Sequence, residues 1–147
     1  MLLAITRDIS PNFNQCELTH LDRTPIDVAL AQAQHHQYQA ALRALGCEVI
    51  ALPAELDLPD SVFVEDVAIV LDEVAIITRP GADSRRPEAQ LIAAALRPYR
   101  ELRFIAAPGT VDGGDVLRVG RSLYVGISSR SNQSAIEQLQ AFLKPFG

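Results

Sequence analysis

Five carboxylates and three guanidiniums stand in loops where they could act on one ligand. The acids are Asp60, Glu65, Asp66, Asp112 and Asp115, and the bases are Arg85, Arg86 and Arg130. Carboxylates gathered in one closed site repel one another unless a cation neutralises them, and that cation can be a metal ion or an organic group such as a guanidinium. A pair of arginines can in turn fork onto a ligand carboxylate through parallel N–H···O bonds. Acids beside paired arginines therefore suit a zwitterion of amino-acid size. Plainer readings stand beside this one. Asp112-Gly-Gly-Asp115 can be a turn, a ligand site, or a hard-cation loop offering two carboxylates and two free carbonyls. Glu65-Asp66 can be a solvated strand start, and Arg85-Arg86 can be surface charge at a helix mouth. Cys16 and His20, four apart in a loop, could pair as thiol and imidazole, although no helix fixes their geometry. His35-His36 reads as a solvated helix face, and Cys47, between a helix and an apolar strand, as a small buried residue.

The elements that must position these groups follow a repeat. Leu3-Ala-Ile-Thr-Arg7 is echoed by Ala75-Ile-Ile-Thr-Arg79, and Glu48-Val-Ile-Ala-Leu-Pro53 by Arg103-Phe-Ile-Ala-Ala-Pro108. Asp66 and Asp115, 49 residues apart, each open an apolar run, and Ser84-Arg85 matches Ser129-Arg130 at a spacing of 45. The period is about 50 residues with loop insertions, dividing the chain near 1–47, 48–101 and 102–147. Thr24-Pro25-Ile26-Asp27 reads as the start of a first helix, with Thr24 as the cap and Pro25 at the first helical position. Its apolar stripe is expected to run through Ile26, Ala29, Leu30, Ala33, Ala40, Ala41, Ala44 and Leu45, with Gly46 as a left-handed cap. A second helix is predicted to open at Pro87 and end before Pro98, and a third to open after Asn132 and end before Pro145. Short β-branched runs predict strands at Val67–Leu71, Val74–Thr78, Phe104–Ala106, Val116–Val119 and Leu123–Ile127. Each unit thus reads as strand, acidic loop, strand pair, arginine-bearing loop and helix.

Composition removes several classes of partner. The chain has 147 residues, 48% hydrophobic and 21% charged, enough for the core of one globular domain. Thirteen basic against eighteen acidic side chains give a net charge of −5. No basic face for nucleic acid is expected. The longest apolar run, Leu91 to Leu96, is far short of the ~20 residues of a membrane span. Two cysteines and no export signal point to reduced thiols and a cytoplasmic location.

Four segments carry a family resemblance: Leu58-Pro-Asp-Ser-Val-Phe-Val-Glu-Asp66, Thr78-Arg-Pro-Gly-Ala-Asp-Ser-Arg-Arg86, Ala107-Pro-Gly-Thr-Val-Asp-Gly-Gly-Asp115 and Leu123-Tyr-Val-Gly-Ile-Ser-Ser-Arg-Ser-Asn132. With Cys16-Glu-Leu-Thr-His20 they make the chain resemble the dimethylarginine dimethylaminohydrolases, of the guanidine-modifying or pentein superfamily. The resemblance implies an α/β propeller of five blades, of which this chain supplies about three as one incomplete domain. It implies a small arginine derivative as ligand, hydrolysed to citrulline and dimethylamine, with neither metal nor cofactor. By their places in these motifs, Asp60 and the Leu18 carbonyl are implied to hold the substrate α-amino group, and Asp66 with Glu65 the guanidinium. Arg85 and Arg130 match the pair that binds the α-carboxylate, and Asp112 matches the acid that orients the catalytic histidine. Agmatine-type ligands, without a carboxylate, fit this clamp poorly. In the family a cysteine thiolate attacks the guanidinium carbon and a histidine serves as acid and base. Both belong to blades beyond Lys144-Pro-Phe-Gly147, and none of Cys16, Cys47, His20, His35 and His36 matches them. The chain is therefore expected to carry the clamp without the nucleophile and not to turn over alone. Self-association, or a partner covering the missing blades, is expected; a non-catalytic module binding arginine-like ligands is the alternative.

Overall fold

The computed structural model describes residues 2–18 and 21–147. The chain divides into two compact units, Met1–Val64 and Glu65–Gly147, and its architecture is α/β. In the first unit, β1 (Leu2–Arg7) and β2 (Cys47–Leu52) run parallel, from Leu2 opposite Cys47 to Arg7 opposite Leu52. Helix α1 (Val28–Ala44), rich in the strong helix formers Ala, Gln and Leu, links them. Gly46, at φ +88°, makes the left-handed turn expected at its end.

Two expectations for α1 are corrected. The helix begins at Val28, capped by Asp27, whose carboxylate accepts the Leu30 N–H. Asn14 holds both sides of Ile26 outside the helix, accepting the Ile26 N–H at 2.6 Å and donating to the Ile26 carbonyl at 3.0 Å. A side chain 12 positions away thus overrides the local Thr24-Pro25 signal. The expected stripe is also displaced. Ala29, Leu30, Ala33, Ala40, Ala41, Ala44 and Leu45 do not form the inward face as a set. Leu30 and Leu45 are 54% and 82% exposed, whereas Gln39 is the buried residue of the helix. The Gln39 amide donates to Thr6 Oγ1 and to Asp8 Oδ1 at 3.1 and 3.2 Å. His35 is half-buried rather than on a solvated face, and Cys47 is half-buried at the start of β2.

In the second unit, β3 (Ala68–Val70) and β4 (Val74–Ile77) form an antiparallel hairpin. Helix α2 (Arg86–Leu96) follows, and β5 (Glu101–Phe104) returns parallel to β4. A second hairpin, β6 (Val116–Val119) and β7 (Ser122–Val125), precedes α3 (Gln133–Leu143). All four residues of β4 are at most 1% exposed, the mark of a strand covered on both faces. Val74 and Ile76 join Ile69, Ile105, Val111, Ala135 and Leu139 in one core. Alternation leaves Ala75 and Ile77 for the other face. Helix α2 packs on β4 and buries Ala89, Ile92, Ala93 and Leu96. Pro87 and Asn132 open α2 and α3 as expected. Asn132 accepts the Ala135 N–H and, from the preceding loop, the Thr110 N–H.

The fifth strand lies three residues earlier than expected because its register is set by β4, with Val74 opposite Glu101 and Ile77 opposite Phe104. The sheets are staggered against the sequence repeat. The strand opening the second copy, β2, pairs with the first copy's β1, and β5 at the start of the third pairs with β4 of the second. Helices α1 and α2 therefore each deliver the chain back to the sheet it left.

Candidate ligand site

Of the residues expected to bind a ligand, Leu18 and Asp60 belong to the first unit and Glu65, Asp66, Arg85, Asp112 and Arg130 to the second. In the second unit, a short 3-10 turn, Asp83–Arg85, leads into α2, so Arg85 stands at the helix mouth and Glu88 one turn in. The Arg85 guanidinium forks onto Glu88, Nε to Oε1 at 3.1 Å and Nη2 to Oε2 at 2.8 Å. Its Nη1 donates to Asp66 Oδ2 at 2.7 Å. Arg85 and Glu88 are 3% and 2% exposed. Burial alone would lower the Arg85 pKa, but the hydrogen bonds and charges of Glu88 and Asp66 raise it above the ordinary guanidinium range. The other Asp66 oxygen, Oδ1, accepts the Gly114 N–H at 3.0 Å. Glu65 is exposed. A Cβ on Gly113 would lie 1.9 Å from the Glu65 carbonyl oxygen, so only glycine lets the 112–115 loop approach Glu65-Asp66 this closely.

Asp112 and Arg130 meet in a second ion pair, Arg130 Nη1 to Asp112 Oδ2 at 3.3 Å. Asp112 Oδ1 accepts the Gly81 N–H at 3.0 Å. Gly81 also makes room for Arg130, since a Cβ there would stand 2.4 Å from the Arg130 Cα. The Asp112 side chain is 7% exposed and that of Arg130 25%. Asp115 points elsewhere, to the hydroxyls of Ser128 and Ser131 at 2.7 and 2.6 Å. The two acids of Asp112-Gly-Gly-Asp115 thus serve different donors. Among the described residues no three His, Cys, Asp or Glu side chains converge as a metal site would require.

In the first unit, Asp60 is 6% exposed, and both of its carboxylate oxygens accept the Glu17 N–H, at 3.2 and 3.0 Å. Leu18, the next residue, is 41% exposed. Cys16 is buried, and His20, with which its thiol could pair, lies outside the described residues. Ser61, beside Asp60, has a buried hydroxyl with no hydrogen-bond partner among the described residues. The structure therefore joins Asp66 with Arg85, and Asp112 with Arg130. It also adds Glu88, Gly81, Ser128 and Ser131, which residue type alone did not single out. For Glu88 a signal was available, the i,i+3 spacing from Arg85 across a helix start.

Comparison with known proteins places this arrangement. The family model described as N,N dimethylarginine dimethylhydrolase, eukaryotic, matches residues 11–144. An N(G),N(G)-dimethylarginine dimethylaminohydrolase of Streptomyces coelicolor is 43% identical over 145 residues, covering 98% of this chain and 56% of that protein. The enzyme of that name from Pseudomonas aeruginosa is 41% identical over 123 residues, 82% of this chain and 48% of the relative. A crystal structure of the Pseudomonas aeruginosa protein, a cysteine-to-serine mutant complexed with citrulline, superposes with a TM-score of 0.93 at 36% identity over 98% of this chain and 57% of that one. The fold is also that of the N-terminal domain of ArgZ, at a TM-score of 0.83 and 18% identity. The chain is thus a hydrolase-family protein of the pentein superfamily. It belongs to the dimethylarginine dimethylaminohydrolase family, and it spans about half the length of the relatives it matches.

Proposed function

We propose that this chain supplies the substrate clamp of a hydrolase that converts methylated arginine to citrulline and dimethylamine, and that it forms about three blades of a five-bladed α/β propeller. Asp60 and the Leu18 carbonyl take the α-amino group, Asp66 and Glu65 the guanidinium, and Arg85 and Arg130 the α-carboxylate. Asp112 orients a catalytic histidine supplied from outside these residues. The observation that carries the reading is the charge network of the second unit, in which the resemblance-derived acids and arginines are paired, Asp66 with Arg85 and Asp112 with Arg130. The solved relative complexed with citrulline supports the ligand class.

The two arginines divide the work. The Arg85 side chain is 3% exposed and held at 2.7 Å by Asp66, a strong charge-assisted contact. Arg130 is 25% exposed and reaches Asp112 only at 3.3 Å. A ligand carboxylate arriving from solvent meets Arg130 first and exchanges with the longer Asp112 contact, while Arg85 contributes its charge from a buried position.

The nucleophile and the acid–base histidine of the reaction come from blades outside this chain, in a cytoplasmic protein. The test is citrulline release from asymmetric dimethylarginine, with a full-length relative as positive control, alongside calorimetric titration with citrulline. Binding without turnover is the expected result, and Arg130→Ala should weaken binding by about 1.5–3 kcal/mol, a lost charged hydrogen bond. Citrulline formed by the chain alone and abolished by Cys16→Ser would overturn the division of labour. A second reading, an assembly module, is favoured by exposed apolar side chains such as Leu45 at 82% and Ile127 at 70%. Self-association in sedimentation would support it, and a monodisperse monomer would remove it.

A further inference from the structure

Asp115 is an acid of the clamp region that the proposed roles leave unused, and its surroundings give it one. Ser128 Oγ accepts the backbone N–H groups of Arg130 and Ser131, at 2.9 and 3.1 Å. Ser131 Oγ, on a residue only 1% exposed, accepts the Asp112 N–H at 3.1 Å. A backbone N–H can only donate, so both hydroxyl oxygens act as acceptors there and each keeps one proton to give. Both protons go to the same atom, Asp115 Oδ2, at 2.7 and 2.6 Å, the short range of O–H···O⁻ bonds. The direction of every bond in this network is therefore determined, and it ends on one carboxylate oxygen.

We propose that Asp115, acting through the Ser128 and Ser131 hydroxyls, is the positioning residue that holds the Arg130 backbone against Asp112. The Arg130 N–H and the Asp112 N–H are each one hydroxyl away from Asp115 Oδ2, so one acid sets the separation of the ion pair's two backbones. The opposite side of the loop is already anchored by Asn132, whose N–H donates to the Thr110 carbonyl at 2.9 Å and whose side-chain oxygen accepts the Thr110 N–H at 3.1 Å. Without Asp115 the two hydroxyls lose their acceptor and can rotate, releasing Arg130 on the side that Asn132 does not reach. The consequence for ligands rests on the clamp reading above; the positional claim itself does not.

The experiment has two arms on the 147-residue chain. In the first, amide hydrogen exchange is followed by NMR in wild type, Asp115→Ala and Asp115→Asn. Asp115→Ala should speed exchange of the Arg130, Ser131 and Asp112 amides at least about tenfold while leaving the Ile76 amide, in the core strand β4, unchanged. Asp115→Asn should fall between the two, because its amide oxygen can sit where Oδ2 sits and accept both hydroxyls without the charge. Exchange unchanged at those three amides, or raised equally at Ile76, overturns the proposal. Should Asp115→Ala not fold, Asp115→Asn with Ser131→Ala carries the comparison at Asp112, and with Ser128→Ala the comparison at Arg130. The second arm titrates citrulline and its carboxylate-free counterpart N-carbamoylputrescine. Asp115→Ala should weaken citrulline about tenfold and leave N-carbamoylputrescine unaltered; equal weakening of both marks a general structural role and overturns positioning of the carboxylate grip. A wild type that binds neither ligand defeats the clamp reading, and the exchange arm then decides the position of Arg130 by itself.

Discussion

The crossovers β1–α1–β2 and β4–α2–β5 have the same plan, a strand, a helix and a parallel strand, and each first strand runs into or through an Ile-Thr-Arg sequence. They bury different chemistry. Beyond the buried Arg85–Glu88 ion pair at its mouth, α2 buries Ala89, Ile92, Ala93 and Leu96 against a strand covered on both faces. Beneath α1 the buried residue is Gln39, with His35 half-buried on the same helix, and the strand is enclosed only at Thr6 and Arg7. Area removed from water holds the second crossover, roughly in proportion to its extent and without regard to direction. Directional bonds from Gln39 to Thr6 and Asp8 fix the first, together with the Arg7 guanidinium on the Pro53 carbonyl and Glu55 at 2.8 and 3.0 Å. One topology can thus be specified either by packing or by hydrogen bonding, and the two modes answer differently to mutation.

The largest contrast is expected from apolar truncation on the two helices. Ile92→Ala in α2, at a site 3% exposed, should cost about 3 kcal/mol through lost transfer energy and a cavity. Leu30→Ala in α1, at a site 54% exposed, should cost about 0.5 kcal/mol or less. Urea unfolding of both variants measures this directly. Equal losses would mean that Leu30 packs as Ile92 does, and the distinction between the crossovers would collapse.

Polar truncation should reverse the order. Gln39→Ala removes two side-chain hydrogen bonds, one of them to a carboxylate, and should cost about 1–2 kcal/mol. Gln90→Ala, on the exposed side of α2, should be close to neutral. A smaller step is expected at the helix start. Asp27→Ala takes away the cap of α1 for about 1 kcal/mol, whereas α2 has no side-chain cap to lose, its Arg85 being committed to Glu88 and Asp66. Thermal unfolding midpoints of the pair Asp27→Ala and Gln39→Ala rank the two contributions. Equal shifts would show that the cap matters as much as the buried amide.

The same contrast explains what could be read from the chain beforehand. Helix α2 is bracketed by Pro87 and Pro98 and α3 by Asn132 and Pro145, local signals that no distant contact displaces. The start of α1 was not legible because Asn14 restrains Ile26 from outside the segment, and its inward face was not, because a buried glutamine looks like a solvated one until its partners are known. In the site, Asp66, Arg85, Asp112 and Arg130 were nameable from their motifs, yet their pairing depends on sequence separations of 19 and 18 residues being closed by the fold. Ser128 and Ser131 escaped notice because a hydroxyl becomes informative only when the carboxylate receiving its proton is located. Gly113 reads as a turn residue, and its necessity appears only with the Glu65 carbonyl in place.

The smallest effect is a pH dependence that belongs to the hydrogen-bonded crossover alone. Burial lowers the His35 pKa below the ordinary 6.5, opposed by the charge of Asp8 and a backbone hydrogen bond to Arg7 and reinforced by His36, and Nε2 has no hydrogen-bond partner among the described residues. A histidine whose folded pKa is depressed binds more protons unfolded than folded in the interval between the two values. Its contribution is therefore undiminished above pH 6.5 and is lost progressively as the pH falls through 6.5 toward the folded value. Urea unfolding from about pH 7.5 down to about pH 5.5 should show stability decreasing on acidification. His35→Gln, which keeps a polar side chain but cannot titrate, should flatten the part of that slope nearest 6.5. His36→Gln, on an exposed position of the same helix, supplies the comparison. An unchanged slope in His35→Gln, or stability that rises as the pH falls, would show that the space beneath α1 accepts the imidazolium, and the half-buried imidazole would then be no part of what distinguishes the two crossovers.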